Sequence, residues 1–507
     1  QCKEFGEWSK KIDQFIMHNG ISFDAPLLNK FTGSSITPLQ VRDTLLESQL
    51  FNPVREGGHS LESWGERLGF AKLDFHDFSE FSPLMLEYCQ RDVELTRKLA
   101  QNLELEKKKF SNQCYDLERD IRIILDKQQK NGFAFDLMKA QLLLAKLEDE
   151  QHELERHAEE EFEPTIVELK TKTKKIPFNI ASRKQIADRL MERGWEPTKL
   201  TDKGNVIVNE DVLSKIKMPE AQMFSRYFLL QKRTGLLKAW IKECGEDMRV
   251  RGRVLTLKTI TGRMAHHSPN MAQVPAVYSP YGKECRELWT VSNAQTHQLV
   301  GTDASGLELR CLAHYMKDAD FTNEVLTGDV HTANQHAAGL SNRDQAKTFI
   351  YAFLYGAGPA KIGKIVGGGP GKGQKLISKF LSNMPALRTL RSNVQEAAQN
   401  GSIKGLDGRR LMIRSEHAAL NTLLQGAGAI VCKQWLVEID KRVRKSGLDA
   451  KLVASVHDEY QFEVAKPDIN RFTKITKEAM YQTQREFSFR CDLDSDHKVG
   501  NNWAETH

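Results

Sequence analysis

At 507 residues the chain is too long for one ordinary hydrophobic core, and two to four domains are expected. Hydrophobic residues at 40% against 28% charged describe a soluble globular protein, and no run approaches the roughly 20 apolar residues of a bilayer span, which excludes a transmembrane protein. Eight scattered cysteines without a C-x-x-C exclude a zinc knuckle or disulfide scaffold, and a net charge of +6 is compatible with a polyanionic partner without requiring one.

The first residues, Gln1-Cys-Lys-Glu-Phe-Gly, contain no apolar signal core and no initiator Met, which fits a processed product or a fragment. Residues 1–102 mix short apolar segments with turn residues and close in a helix-like stretch, FSPLMLEYCQRDVELTRKLAQNL. From about 103 to 161 the sequence is charged and helical in period (LERDIRIILDKQQK, then MKAQLLLAKLEDEQHELERHAEEEFE), as in a stalk or arm with a solvated charged face. A basic loop follows, with Lys170, Lys172, Lys174 and Lys175 ahead of Pro177, and then a mixed helical segment to about 247. From 250 onward, strand-like runs carrying isolated acids, QLVGTD and LVASVHDEYQF, flank a helical block with Gly-rich interruptions over 316–415. An α/β N-terminal unit, a helical arm, and a C-terminal unit with a sheet and a helical insertion are predicted.

Three segments of the C-terminal half carry chemistry. In HQLVGTDASGLELRCLAHYM an apolar strand runs into Asp303 and a helix-favouring segment follows. A carboxylate at a rigid strand end suits a hard cation such as Mg²⁺, and it equally suits capping of the next helix. In LVASVHDEYQFEV, Tyr460, Phe462 and Val464 alternate with Glu459, Gln461 and Glu463, which predicts a strand with one apolar face. His457, Asp458 and Glu459 then lie where two short strands meet in a hairpin, a place where acids are common for structural reasons alone. In SNRDQAKTFIYAFLYGAG, with Ser341 or Asn342 as cap, Arg343, Lys347, Tyr351 and Tyr355 step by four and form a spiralling stripe roughly 18 Å long. Two cations followed by two aromatics suit a ligand with a phosphate end and a ring end, or an amphipathic helix with solvated cations and core tyrosines. Together, two strand-borne acids able to hold paired metals and a basic–aromatic helix are equipment for attack on a nucleotide α-phosphate, with Lys347 neutralising or protonating the departing pyrophosphate.

These segments resemble motifs A, B and C of the DNA polymerase I family (family A). Arg343, Lys347, Tyr351, Tyr355 and Gly356 match the R-x-x-x-K-x-x-x-[aromatic]-x-x-x-Y-G pattern, and DASGLELRCLAH, KTFIYAFLYGAG, HAALNTLLQGAGA and GNNWAETH resemble replicative polymerases of short-tailed bacteriophages. The resemblance implies a mixed α/β (α+β) right-hand polymerase with palm, fingers and thumb. An N-terminally incomplete, ribonuclease H-like 3′–5′ exonuclease domain (1–105) would precede the thumb (106–245), palm (246–315 and 416–507) and fingers (316–415). It implies a DNA-directed DNA polymerase that replicates a phage genome in the cytoplasm of the infected bacterial host. That enzyme works as a monomer on primer–template DNA and dNTPs, away from any membrane, with two Mg²⁺ per site and Mn²⁺ able to substitute.

By the same resemblance, Asp303 and Asp458 bind the metals with the Ala304 carbonyl as a further ligand, and Glu459 is an auxiliary acid. Arg343, Lys347 and His331 hold the triphosphate, Glu308 occupies the sugar-selecting position, and Tyr355 stacks near the templating base. Tyr351 stands where some relatives carry Phe, and its hydroxyl can replace a missing 3′-OH contact. In TGRMAHHSPNMAQVP, Arg263, Asn270 and Gln273 touch the duplex, as do Gln425 and His457, through minor-groove acceptors and backbone; Asn270 and Gln273 also suit plain loop hydrogen bonds.

HNGISFDAPLL and YCQRDVEL resemble the second and third motifs of a proofreading exonuclease, with Asn19, Asp24, Tyr88 and Asp92 in the matching places. A D-x-E of the first motif is absent before residue 18, so the exonuclease is expected to be weakened or inactive unless the native protein begins earlier. EFEPTIVELKTKTKKIPFN spans the thumb region where the best-studied phage relatives carry a long thioredoxin-binding insertion, so no thioredoxin requirement and modest processivity are expected. The lysines at 170–175 contact DNA phosphates or form a solvated loop. VGGGPGKGQK fails the phosphate-loop pattern at Val366 and after Lys372 and is expected to connect finger helices. A single-subunit RNA polymerase shares the acids and motif-B lysine but not Glu308 or the exonuclease-like motifs, and a non-catalytic DNA-binding relative or a nuclease alone would not need Asp303, Asp458 and Lys347 together.

Overall fold

The computed structural model describes residues 2–169 and 172–507. In the N-terminal unit, strands Phe15–Met17 and Val41–Asp43 pair in parallel, and helices Thr44–Phe51, Leu61–Arg67 and Pro83–Lys107 close over them. Phe15, Val41, Leu46, Leu50, Trp64 and Leu99 form its core. The long helix starts as local chemistry dictates: Ser82 Oγ accepts from the Met85 N–H at 3.1 Å and Pro83 fills the first turn.

The charged stretch expected as a stalk or arm with a solvated face is divided between separate cores. Helix Asn112–Asn131 buries Leu117, Ile121, Ile124 and Leu125 in the largest core of the molecule, because these apolar residues recur at three- and four-residue steps and make one stripe. Gly132, at φ +64°, ends it in a conformation that favours glycine, and an added Cβ would meet Arg249 and Arg251 side chains at 3.1 Å. Strand Phe133–Phe135 separates this helix from helix Leu137–Glu161, which runs antiparallel to helix Pro219–Lys242. Polar contacts mark the seam, with Tyr227 OH donating to Glu155 at 2.9 Å and Lys238 paired to Glu148 at 2.8 Å. At its far end Phe162 and Phe178 pack with ring centroids 4.5 Å apart, and Phe224 joins them. Beyond these rings, the sequence read as a basic loop forms a hairpin, Thr165–Leu169 with Lys172–Ile176, which carries Lys172, Lys174 and Lys175 on its second strand; Lys170 lies outside the described residues.

A four-stranded antiparallel sheet holds the C-terminal half together, in the order Ala450–Val456, Glu459–Ala465, His297–Ala304, Ser495–Gly500. One face, with Val300, Tyr460, Phe462 and Val464, meets helices Ala419–Ser446 and Ile469–Glu486. The other carries Leu299 and Val453 and packs on Phe133, Trp289 and Trp503. Strand Glu459–Ala465 was expected to have one apolar face and one polar face; the polar face is buried as well. Glu463 accepts from Arg249 Nη2 at 2.7 Å and from the Ser292 N–H at 2.9 Å, and Thr506 Oγ1 donates to Gln461 at 2.8 Å, so these polar groups are satisfied inside the protein. Between the first and second strand of the sheet in sequence, seven helices from Leu307–Met316 to Pro385–Ala398 form the insertion; of the segment 366–375 expected as a connection, only 366–369 connects Pro359–Ile365 to Pro370–Asn383, and 370–375 form the first turns of the latter helix.

Beneath the sheet lies a buried ion network. Lys433 Nζ donates to both Glu118 oxygens at 2.7 and 2.8 Å and to the Thr256 carbonyl at 2.9 Å. Arg409 bonds Glu118 at 2.6 Å and Asp407 at 2.6 Å. Burial lowers the Lys433 ammonium to about 8 despite Glu118 beside it. Removing Glu118 would leave two buried cations short of an acceptor, so Glu118→Ala is expected to destabilise by ~3–5 kcal/mol. Lys127→Ala, which breaks a half-exposed pair with Asp440 at 3.7 Å, should change stability by less than ~0.5 kcal/mol. Thermal unfolding of the two variants checks the contrast.

Candidate active site

Asp303 stands near the end of strand His297–Ala304, opposite Glu459 on one neighbour and Asp496 on the other. Residues directly opposite in antiparallel pairs point to the same face, so Glu459, Asp303 and Asp496 make a row of three carboxylates. Asp458 lies beside the row in a two-residue turn, His457-Asp458, joining strands Ala450–Val456 and Glu459–Ala465. His457 takes φ +58°, and the Ala304 N–H donates to the Asp458 carbonyl at 3.1 Å, which pins the turn to the strand bearing Asp303.

Crowding shows in the acidities. Burial, followed by Asp458, Glu459 and Asp496, pushes the Asp303 carboxyl up to about 7, with Lys498 opposing. Burial also raises Asp458. Glu459 moves the other way. Burial alone would raise it, but the His507 ring nitrogen at 2.6 Å, Trp503 Nε1 at 2.6 Å and Gln461 Nε2 at 2.6 Å outweigh burial and hold the carboxyl below its usual range. Glu459, expected as an auxiliary acid, therefore has its oxygens engaged within the protein. Asp496, exposed and bonded to Ser305 Oγ at 2.7 Å, is an acid that sequence reasoning missed. Its strand, SDHKVG, has no alternation that would place it beside Asp303.

Among the described residues, no three of His, Cys, Asp and Glu form a metal cage. Asp303 and Asp458 with the neighbouring Ala304 backbone are an all-oxygen donor set, and Mg²⁺ is characteristically held by one or two carboxylates plus substrate phosphates, so the residues fit that ion.

The basic–aromatic helix spans Arg343–Leu354, with Asn342 as its cap, its side chain accepting from the Gln345 N–H at 2.8 Å. Arg343, Lys347 and Tyr351 share a face, and Tyr355 is the residue just past the helix end. The Tyr351 and Tyr355 rings stack at 6.4 Å. His331 lies 6.1 Å from the Tyr351 ring, and its imidazole is lowered by burial and by Arg343 and Lys347, so both cations are its neighbours. Tyr355 OH donates to Glu308, which also accepts from Arg263 Nη2 at 3.2 Å. The Tyr351 hydroxyl is raised by burial and then by Glu308 and Asp458, and His457 feels Arg263 and Glu308 as well as Asp458. Thus the helix end, Glu308, Arg263, His457 and the carboxylates converge. Asn270 accepts from the Ala272 N–H at 3.1 Å, capping a short turn, Met271–Gln273, that ends in exposed Gln273. Gln425 is half-buried on helix Ala419–Ser446.

The upstream quartet is organised differently. The Asn19 N–H donates to Asp43 at 2.9 Å, and Asp24 opens helix Asp24–Thr32 with its carboxyl raised by burial and nearby Asp43. Tyr88 and Asp92, one turn apart, share Lys72, whose Nζ lies 2.7 Å from the phenol oxygen and 2.9 Å from the carboxylate. Lys72 was not foreseen from the sequence. A cleft of about 860 Å³ beside Asn19 is walled by the N-terminal unit, helix Asn112–Asn131 and residues 251–256, and contains neither Asp303 nor Asp458.

A profile of DNA polymerase family A matches residues 144–505. The chain is 33% identical to the DNA-directed DNA polymerase of Enterobacteria phage T3, over 98% of this chain and 93% of the relative. It is 33% identical to that of Escherichia phage T7, over 97% and 92%. Its fold is similar to the POL domain of Pol1 from M. smegmatis, solved in complex with DNA primer-template and dNTP, at TM-score 0.79 and 20% identity, covering 94% of this chain and 84% of that one.

The two carboxylates flanking Asp303 should respond unequally to truncation. Glu459→Ala strands buried donors of Trp503 and Gln461 and is expected to cost ~2–4 kcal/mol of stability. Asp496→Ala, exposed, should move the unfolding midpoint by less than ~0.5 kcal/mol. Parallel melting curves decide it.

Proposed function

The chain belongs to DNA polymerase family A and is a DNA-directed DNA polymerase, and from that premise we propose that it extends a primer 3′-OH by two-metal phosphoryl transfer in the replication of a phage genome inside the infected bacterial cell. One observation carries the reading: Asp303 and Asp458 are pinned together at a sheet end, converging with the far end of a helix that presents Arg343 and Lys347. Asp303, Asp458 and the Ala304 carbonyl would hold the Mg²⁺ ions, which when bound activate the primer hydroxyl and stabilise the phosphate oxygens.

The chain's own groups do the rest. Arg343, Lys347 and His331 bind the triphosphate, and Lys347 neutralises or protonates the departing pyrophosphate. Tyr355 and Arg263 fix the Glu308 carboxylate, which lies beneath the sugar and disfavours a 2′-hydroxyl. Tyr355 leaves Glu308 to stack near the templating base when substrate enters. Arg263, Asn270, Gln273, Gln425 and His457 contact primer and template without reading bases. In this reading residues 106–245 act as thumb, 246–315 and 416–507 as palm, and 316–415 as fingers, whose closure brings the cationic helix onto a correctly paired nucleotide.

Two finer assignments follow. The exonuclease-like unit, 1–105, is weakened because Lys72 neutralises Asp92 and ties up Tyr88. The enzyme works as a monomer without thioredoxin. In support, the phage T3 alignment runs over 654 positions against the 507 residues of this chain, so the relative carries well over a hundred positions absent here. The Phe162–Phe178 contact also closes the 163–177 connection into a short hairpin.

Extension of a labelled primer with Mg²⁺ and dNTPs is expected for the wild type, to vanish with Asp458→Ala, and to stop on chelation by EDTA. Persistence of growth in Asp458→Ala would overturn the metal assignment. In a lane without dNTPs the primer should stay intact; shortening would show a working exonuclease. Dideoxynucleotides should be incorporated readily and Tyr351→Phe should discriminate against them. Rejection by the wild type of ~1000-fold, about 4 kcal/mol of discrimination, would remove the role given to Tyr351.

A further inference from the structure

Arg343 does not stand free. Its Nε–H donates to Asp329 Oδ2 at 2.7 Å, an acid fourteen residues upstream on another helix. Asp329 is itself immobilised as the cap of helix Val330–Ala338: Oδ1 accepts from the His331 and Thr332 N–H groups at 3.1 and 3.4 Å, and Oδ2 accepts from Thr332 Oγ1 at 2.8 Å. The Arg343 hydrogen bond, followed by Thr332, holds the Asp329 carboxyl far below the usual carboxylate range. A carboxylate fixed by three donors of its own helix start cannot swing to follow the arginine, so the arginine is fixed to it.

The pair is half-exposed on both sides, so it contributes little to stability. Its geometry suits another purpose. Nε is engaged, while no protein acceptor faces Nη1 or Nη2 of Arg343 among the described residues. The same short segment carries His331, whose Nδ1 is buried without a partner, so Asp329 sets the placement of Arg343 and His331 relative to each other. A guanidinium recognises phosphate through the directional fork of its N–H groups, and a fork held in place loses less freedom on binding than one on a free four-bond stem.

We propose that Asp329 is a positioning residue for the incoming nucleotide: it grips Arg343 through Nε and aims the two terminal nitrogens at the triphosphate beside His331. The inference rests on the reading of Arg343 as a triphosphate ligand. Asp329 touches no substrate and acts through Arg343.

The test is steady-state single-nucleotide incorporation on a fixed primer–template with wild type, Asp329→Asn, Arg343→Ala and the double variant. Asparagine keeps an oxygen for the backbone cap but turns an N–H donor toward the arginine. Asp329→Asn should leave the unfolding midpoint unchanged, raise KM for dNTP about three- to fivefold, the upper range for an exposed ion pair, and alter kcat less than about twofold. In the Arg343→Ala background the same substitution should change nothing further. An unchanged or lowered KM in Asp329→Asn would overturn the proposal, because the carboxylate would then be idle or a competitor of the triphosphate. An effect that survives in the Arg343→Ala background would overturn it too. An Arg343→Ala enzyme with normal KM would instead remove the reading on which the proposal stands.

Discussion

Like charges held close together by rigid backbone are the constraint around which the C-terminal half is built. Four acids, Asp303, Asp458, Glu459 and Asp496, meet at one end of a sheet, and left to themselves they would separate or take up protons. The sheet holds them together, clamped between two apolar layers, Tyr460, Phe462 and Val464 on one side and Leu299, Trp289 and Trp503 on the other, and the repulsion shows as a raised proton affinity at Asp303 and Asp458. Strands Ala450–Val456, Glu459–Ala465 and His297–Ala304 are covered and hold the acids in place, whereas strand Ser495–Gly500 is exposed over 496–499.

The four acids are not treated alike, and the difference has chemical meaning. Glu459 is enclosed by His507, Trp503 and Gln461 and becomes a structural acceptor that ties the C-terminal residues to the sheet. Asp303 and Asp458 are given no comparable set of donors, which suits groups whose partner is to arrive from solution. On the opposing wall the arrangement is inverted. Arg343 is paired but keeps its terminal nitrogens free, while Tyr355 and Arg263 are both spent on Glu308. The carboxylates of Asp303 and Asp458 and the terminal nitrogens of Arg343 are thus each left incompletely compensated by the protein.

What the sequence disclosed and what it concealed divide along the range of the interactions. The strand end at Asp303 and the turn at Asp458 are local and legible in the sequence; the cap was narrowed to Ser341 or Asn342, of which Asn342 serves, and the four-residue stripe holds on the helix for Arg343, Lys347 and Tyr351, with Tyr355 just past its end. The Asp303–Asp496 pairing depends on sheet order, with strands nearly two hundred residues apart brought side by side, and the polar text SDHKVG carries no period to announce it. The same holds for Lys72 on Tyr88 and Asp92, and for Glu118 on Lys433 and Arg409, where charged residues in a seemingly solvated helix turned out to be buried ligands of each other. The charged stretch 103–161 misled for this reason: charge density suggested a stalk, but the apolar stripe through Ile121 and Leu125 decided the packing.

The buried network also explains how a distant helix can matter to the site. Lys433 sits one residue from Cys432, whose carbonyl accepts the Tyr460 hydroxyl at 2.8 Å, and Tyr460 is two residues from Asp458. Lys433 holds the Thr256 carbonyl as well, at the start of the segment that leads to Arg263, and Arg409 lies against Gly262. One cluster of charges therefore fixes the Asp458 strand, the Arg263 segment and helix Asn112–Asn131 against each other. A buried ion pair adds little net stability relative to apolar packing, but its bonds are directional and few alternative packings satisfy them. Directionality is what a site of this kind needs, because carboxylates misplaced by an ångström would lose the geometry that reaction demands.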